Sequence, residues 1–338
     1  MKQLLTMRSK ELVMQDVEKP KISTDTEVLV KIKAAGICGS DVHIYHGTSP
    51  VATYPRVMGH EIVGEIEEIG EKVTKVKIGD HVIVDQIISC GECYPCSINR
   101  PNVCFNLKVR GVHVDGGYRE YVTADQSAMH ILPKNLPFLD AVMIEPMSIA
   151  FQACCRAQIT ANDTVFILGA GALGKSLIKA VLLTGANLIV SDVVEERLEE
   201  AKVLGVKTVI NSLKENLVEK LKKYTKYGPS VSIDAAGFVN SLPLLIDITS
   251  NAGRVIAMTF LTELSPLAQF KITAKELDVR GSRLQNNKFE EVIEAYKNGK
   301  IIIEGQLSHI FDFDKAIDAF KMIDSGDKTI KKIVLSFE

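Results

Sequence analysis

Four cysteines, Cys90, Cys93, Cys96 and Cys104, fall within fifteen residues in the run SCGECYPCSINRPNVC, separated by two, two and seven residues. Thiolates at that spacing can surround one tetrahedral zinc ion, and a site with all four positions filled by sulfur shapes a loop and does no chemistry. A disulfide cluster or a chance grouping is the alternative reading of the same spacing. Catalysis must then come from elsewhere. The segment GICGSDVH supplies Cys38, Ser40, Asp41 and His43, and YPRVMGHEIVGEI supplies His60 and Glu61. A thiolate, an imidazole and a carboxylate leave a fourth position for water or a substrate oxygen, as a catalytic zinc requires. Taken singly each is weak, since a buried Cys is usually core and a His beside a Glu is usually a solvated turn. A further carboxylate, Glu145 in MIEPMSIAF, precedes Pro146 at the expected start of a helix. It could serve the metal or merely face the helix dipole.

A third constellation is Gly169-Ala170-Gly171-Ala172-Leu173-Gly174, a G-x-G-x-x-G that follows an apolar run and opens a helical one. Backbone N–H groups and the helix dipole at such a turn can hold a pyrophosphate. Asp192 ends the next apolar run about twenty residues on, where a carboxylate accepts hydrogen bonds from the adenosine ribose and repels a 2′-phosphate. This favours NAD over NADP, with Arg197 as the feature against it. The bland alternative for Asp192 is a helix-capping or solvated carboxylate.

These groups need elements to position them. Up to about Glu145 the chain is rich in short alternating runs such as EVLVKIKAAG, EIVGEIEEIG and DHVIVDQI, punctuated by Gly and Pro, which predicts a β-rich, barrel-like domain. From Thr164 onward TVFILGAG, NLIVSD, KTVINS, VSIDAAG, GRVIAMT and LDVRGS alternate with amphipathic stretches such as EERLEEAKVLG. Six parallel strands with crossover helices make a doubly wound sheet, so the fold class is α/β. The last fifty or so residues read as helices and a closing strand, KKIVLSFE, that returns to the first domain.

The 338 residues are 46% hydrophobic and 24% charged with a formal net charge of −2, the profile of a soluble globular chain of about two domains. There is no basic run and no Trp, hence no footprint for nucleic acid or an anionic membrane. The start MKQLLTMRSKELVMQ lacks an apolar leader, and no stretch is read as long enough to span a bilayer, so a cytoplasmic protein is expected. Seven cysteines in a reducing compartment are thiols or metal ligands. Cys154 and Cys155, in the helical pattern IAFQACCRAQ, read as core fillers.

Gly59-His60-Glu61, then Gly64, Gly70 and Val73, with the cysteine lobe and the glycine turn in that order, resembles the zinc-dependent medium-chain dehydrogenases of the alcohol and polyol dehydrogenase superfamily over essentially the full length. Within it the pattern is similar to the sorbitol and threonine dehydrogenase branch, where a Glu-Pro like Glu145-Pro146 stands at the third-ligand cysteine of liver-type enzymes. The segments YPRVMGHE, CGECYPCSINRPNVC, GVHVDGGYREY and GSRLQNNKFEEVI resemble more narrowly the starvation-sensing RspB-type proteins and the L-galactonate or L-gulonate 5-dehydrogenases.

The resemblance implies a GroES-like catalytic domain at 1–147 with its zinc lobe near 88–106, a Rossmann NAD-binding domain at 148–285, and a C-terminal return at 286–338, in a homodimer or homotetramer. It implies two zinc ions per chain: one on Cys90, Cys93, Cys96 and Cys104, the other on Cys38, His60 and either Glu61 or Glu145, the remaining glutamate holding the metal-bound water and Asp41 orienting His60. Cofactor contacts fall on Gly169, Gly171, Leu173, Gly174, Asp192 and Arg197, with Arg283 reaching both cofactor and substrate. Ala172 replaces a frequent Pro, and Phe260-Leu261 replaces a more usual small residue near the nicotinamide wall. The implied reaction oxidises a secondary hydroxyl: the metal lowers its pKa so an alkoxide can form, a hydride passes to NAD, and the proton leaves through Ser40 and His43. Arg283 and His113 are the candidate substrate contacts, with a domain-interface hydrogen bond as the alternative role for both. Arg283 could pair a carboxylate, so a polyhydroxylated small molecule, in particular a sugar acid, is expected. Polyols or L-threonine are the rival substrates, and an NAD-binding sensor without turnover is the rival class.

Overall fold

The run EVLVKIKAAGI becomes the strand Glu27–Ile37, because its β-branched and small residues pack on both sides and only Lys31 is fully exposed. The computed structural model describes residues 1–303, 305–327 and 330–337. The chain divides into two units, Met1–Glu145 with Phe289–Glu338, and the intervening Pro146–Lys288.

In the first unit Glu27–Ile37 is the hub of a seven-stranded sheet. It pairs antiparallel with Glu61–Ile69, with Tyr121–Asp125 and with the C-terminal strand Ile333–Ser336. One face carries a core of Val28, Val30, Ile32, Ile62, Ile66 and Val122. The register matters for the site: Gly36 lies opposite both Glu61 and Val334, so three strands from distant parts of the sequence meet at one point. The cysteine run is pinched off by a small antiparallel pair, Ile87–Ile88 with Lys108–Val109.

The second unit holds six parallel strands in the spatial order Thr208–Asn211, Asn187–Asp192, Thr164–Leu168, Val231–Asp234, Arg254–Ala257, Asp278–Gly281. The order reverses at Thr164–Leu168, which places the end of that strand at a topological switch point, where doubly wound sheets bind ligands. The GroES-like plus Rossmann class expected from the sequence is borne out.

Two expectations need correction. Phe138–Ala157 is, by length and composition, apolar enough to cross a membrane, although it is mostly buried in the fold, as a core helix is. Cys155 is exposed and Cys154 half-buried on the helix Ile144–Ala157. Neither fills the core, because the apolar stripe of that helix runs through Met147, Ala150, Phe151 and Ala153 instead.

The return into the first unit is fastened at His130. Its buried ring lies against that of Phe289 at 4.7 Å; its Nδ1 is 2.6 Å from Glu290 Oε1 and its Nε2 3.8 Å from Asp85 Oδ2. Burial alone would lower the His130 pKa, but Asp85 and Glu290 outweigh it and raise the pKa, while the His130 hydrogen bond takes the Glu290 carboxyl down to about 2. The Glu290 share of stability is complete above its ordinary 4.5 and is lost as pH falls toward 2; the His130 share is complete below 6.5 and is lost as pH rises through the raised pKa. Glu290→Gln should therefore cost most between these limits, and no more than about 1 kcal/mol, since Glu290 is over half exposed and screened. Urea midpoints at pH 5.5 and pH 9 check this; a penalty independent of pH would remove the ionic account.

Candidate active site

The four lobe cysteines converge. Cys93 Sγ lies 3.5 Å from Cys96 Sγ and 3.6 Å from Cys104 Sγ, and Cys104 Sγ lies 3.4 Å from Cys90 Sγ. A disulfide needs about 2.05 Å, whereas thiolates around zinc at about 2.3 Å stand about 3.8 Å apart along a tetrahedral edge. The set fits a closed metal site and not bridges; all seven cysteines are free. The N–H groups of Cys90 and Asn106 both point at Cys104 Sγ, at 3.3 Å, as donors to a thiolate would.

The second group is assembled from local constraints. Cys38 directly precedes the helix Gly39–His46, His60 follows a turn at Gly59, and Glu61 opens the strand Glu61–Ile69. Gly59 has φ +92° and a Cβ there would overlap the Tyr118 ring, so only glycine lets His60 arrive at this angle. One ligand atom from each of Cys38, His60 and Glu61 lies within 4.8 Å of the others. A soft sulfur, an imidazole nitrogen and one carboxylate oxygen suit zinc with one position left over.

Fully buried Asp41 supports the group. It accepts hydrogen bonds from Cys38 N at 2.9 Å and Tyr118 Oη at 3.0 Å, and its Oδ1 lies 3.4 Å from His60 Nδ1, a charge contact longer than a good hydrogen bond. Burial opposes the Asp41 carboxylate, but His60 and these donors prevail and lower its pKa. The other ring nitrogen, His60 Nε2, is 3.5 Å from Ser40 Oγ. Glu145 stands outside the ligand group, buried, with its Oε1 taking a 2.7 Å hydrogen bond from Gln86 Nε2. Burial, reinforced by Glu61 against His60 and Lys332, lifts the Glu145 carboxyl to about 7.

In the second unit, the glycine turn leaves Thr164–Leu168 with Gly169 at φ +102°, and Gly171 caps the helix Ala172–Leu182. A Cβ on Gly174 would overlap Gly169 O, whereas one on Gly171 would meet nothing within 4 Å. The first glycine thus makes the turn, the third packs helix on strand, and the second leaves its backbone open to a phosphate. Asp192 is pinned at the same place: Ala170 N donates to its Oδ2 at 2.7 Å, and Val193 N and Val194 N to its Oδ1 at 2.8 and 2.9 Å.

Residues 24–134 match the alcohol dehydrogenase GroES-like domain and residues 172–298 the zinc-binding dehydrogenase domain. The chain is 41% identical to the starvation-sensing protein RspB of Escherichia coli K12, over 100% of this chain and 99% of that protein. It is 30% identical to the L-galactonate-5-dehydrogenase of the same organism, over 99% and 98%. A crystal structure described as the short chain alcohol dehydrogenase rspB of E. coli CFT073, complexed with NADH, superimposes with a TM-score of 0.94 at 40% identity, covering 99% of both chains. The chain belongs to the zinc-type alcohol dehydrogenases.

In this dehydrogenase the residues expected from sequence are not all joined. Ser40 sits beside the ligand group, but His43, though on the same helix, is exposed with its Nδ1 on Thr48 Oγ1 at 2.9 Å, and no described hydrogen bond links the two. His113 Nδ1 takes the Val109 N–H at 3.0 Å and closes its own loop. Arg197 NH1 stands 3.6 Å from Asp192 Oδ2. Arg283, just past the strand Asp278–Gly281, lies over the Phe260 ring at 5.6 Å, so the residue that departs from the usual small side chain becomes a platform for the guanidinium.

Sequence reasoning missed Lys332. Its side chain is buried, its Nζ pairs with Glu61 Oε2, and it lies within electrostatic reach of Cys38 and Glu145. Gln86 and Tyr118 were missed too. A lysine in KKIVLS gives no local sign of such a role.

Proposed function

We propose that the chain is a zinc-dependent NAD oxidoreductase that oxidises a secondary hydroxyl of a sugar acid of the L-gulonate or L-galactonate kind to the keto acid. Cys38, His60 and Glu61 would hold the catalytic metal, which as a Lewis acid lowers the pKa of a bound hydroxyl toward neutrality. Asp41 keeps His60 turned toward the ligand group. Glu145, poised near pH 7 and anchored by Gln86, can take up or give back a proton at its carboxylate. Ser40 is placed to pass a proton outward, and exposed His43 to exchange it with solvent. The cofactor would lie on Gly169, Gly171, Leu173 and Gly174 with its ribose on Asp192. NAD is preferred because a 2′-phosphate would face that carboxylate; the NADH-bound relative supports this.

The observation that carries the substrate class is Arg283, a guanidinium stacked on Phe260 in a segment, GSRLQNN, that resembles sugar-acid dehydrogenases. A charge-assisted pair is worth about 1.5 to 3 kcal/mol, equivalent to a selectivity of about tenfold or more for acid over neutral polyol. The test is a panel of hexonates, sorbitol, xylitol, L-threonine and simple alcohols followed as NADH absorbance, with and without Arg283→Ala. Hexonates should lead by about tenfold in kcat/KM, and Arg283→Ala should erase most of that lead. Equal use of sorbitol, with both classes weakened alike by the substitution, would replace this reading with a polyol dehydrogenase. A flat response across the panel from zinc-loaded protein would replace it with a dinucleotide-binding sensor.

A further inference from the structure

Lys332 carries a consequence for the metal group. It immediately precedes the C-terminal strand Ile333–Ser336, whose register sets Val334 opposite Gly36, while Gly36 lies opposite Glu61 on the other side. Gly36 has no side chain to fill the space between. A Cβ there would overlap Glu61 Oε2 and stand 3.0 Å from Lys332 Cε. The glycine is therefore a window through which the ammonium reaches Glu61. Both partners are buried, with side-chain exposures of 7% and 1%, and Lys332 Nζ forms an ion pair with Glu61 Oε2. A buried ammonium next to a prospective dication is otherwise unfavourable, since like charges in a weakly screened site repel; a role through Glu61 accounts for its presence.

We propose that Lys332 is a positioning residue that holds the Glu61 carboxylate by Oε2 and keeps it from closing the open position of the catalytic metal. The proposal rests on the ligand group Cys38, His60 and Glu61, and not on the substrate class. Removing the ammonium has two effects of the same sign: Glu61 is freed to bind the metal fully, and a repelling charge is lost. A residue that merely supported the ligands would act oppositely, its loss weakening metal binding about 10- to 100-fold.

The experiment compares wild type, Lys332→Met, Glu61→Gln and the double variant, each as zinc protein and with cobalt(II) in the catalytic site. Lys332→Met should keep two metals per chain, lose its catalytic zinc to a chelator no faster than wild type, and show an altered cobalt visible spectrum, with kcat down about tenfold or more. In the Glu61→Gln background Lys332→Met should leave the spectrum unchanged, and any slowing of zinc release that persists there is that of the lost ammonium charge alone. Faster zinc release from Lys332→Met, an unaltered cobalt spectrum, or the same spectral change with and without Glu61 would overturn the proposal. If Lys332→Met alone does not fold, the double variant against Glu61→Gln decides it by the cobalt spectrum, a change between the two overturning the proposal. Retention of wild-type zinc content by Cys38→Ala would instead overturn the ligand group itself.

Discussion

Cys38→Ser should lower kcat by at least about a thousandfold, about 4 kcal/mol in activation free energy, while the folded state survives almost unchanged. The loss is large because the metal would act on the reacting oxygen itself, and one of the three proposed protein ligands is altered in kind as well as softness. The fold should survive because Cys38 is the N-cap of the helix Gly39–His46 and serine is itself a favoured N-cap. Asp41 Oδ2 already takes the Cys38 backbone N–H, and that bond does not need the sulfur. Metal analysis should read two zinc ions per chain in wild type and one in the variant, with thermal unfolding within a few degrees. One zinc in fully loaded wild type would contradict the two-site reading.

Cys93→Ser should do the reverse: destabilise by several kcal/mol with the catalytic ligands untouched, on the order expected when a structural zinc is lost. The lobe has almost no apolar interior. Tyr94 is 70% and Phe105 78% exposed, and the buried residues between Cys90 and Cys104 are Pro95, Asn102 and Cys104. Without a metal to gather the sulfurs, that loop has nothing to fold around. Limited proteolysis should cut the variant within residues 89–107, and its urea midpoint should fall. An unchanged midpoint together with full zinc content would mean the cysteines do not form the site.

How much of this was legible depends on whether the constraint is local. The lobe announces itself because four candidate ligands for one ion lie within a single loop, and the glycine turn because strand, turn and helix are consecutive. Cys38, His60 and Glu61 were legible as a candidate metal group, but the choice between Glu61 and Glu145 was not, since it depends on the strand pairing that sets Glu61 opposite Gly36 while Glu145 stands outside the group. Lys332 was illegible: its partner is 271 positions away, a separation obtained as 332 − 61, and only strand register brings them together. Cys155 was misjudged because an apolar helical stretch does not say which of its residues lie outside the buried stripe.

The placement of the last strand bears on how the protein is made. Ile333–Ser336 is an interior strand, lying between Glu27–Ile37 and His309–Asp312. A chain emerging from the ribosome therefore holds Cys38, His60 and Glu61 for most of its synthesis without the ammonium that faces them, while Pro146–Lys288 is continuous in sequence and has all its own strands in hand. The dinucleotide unit can fold during translation. The metal-bearing unit must wait with a gap in its sheet until Ser336 has been added, which makes premature metal capture by an unfinished chain a hazard that the order of synthesis itself creates.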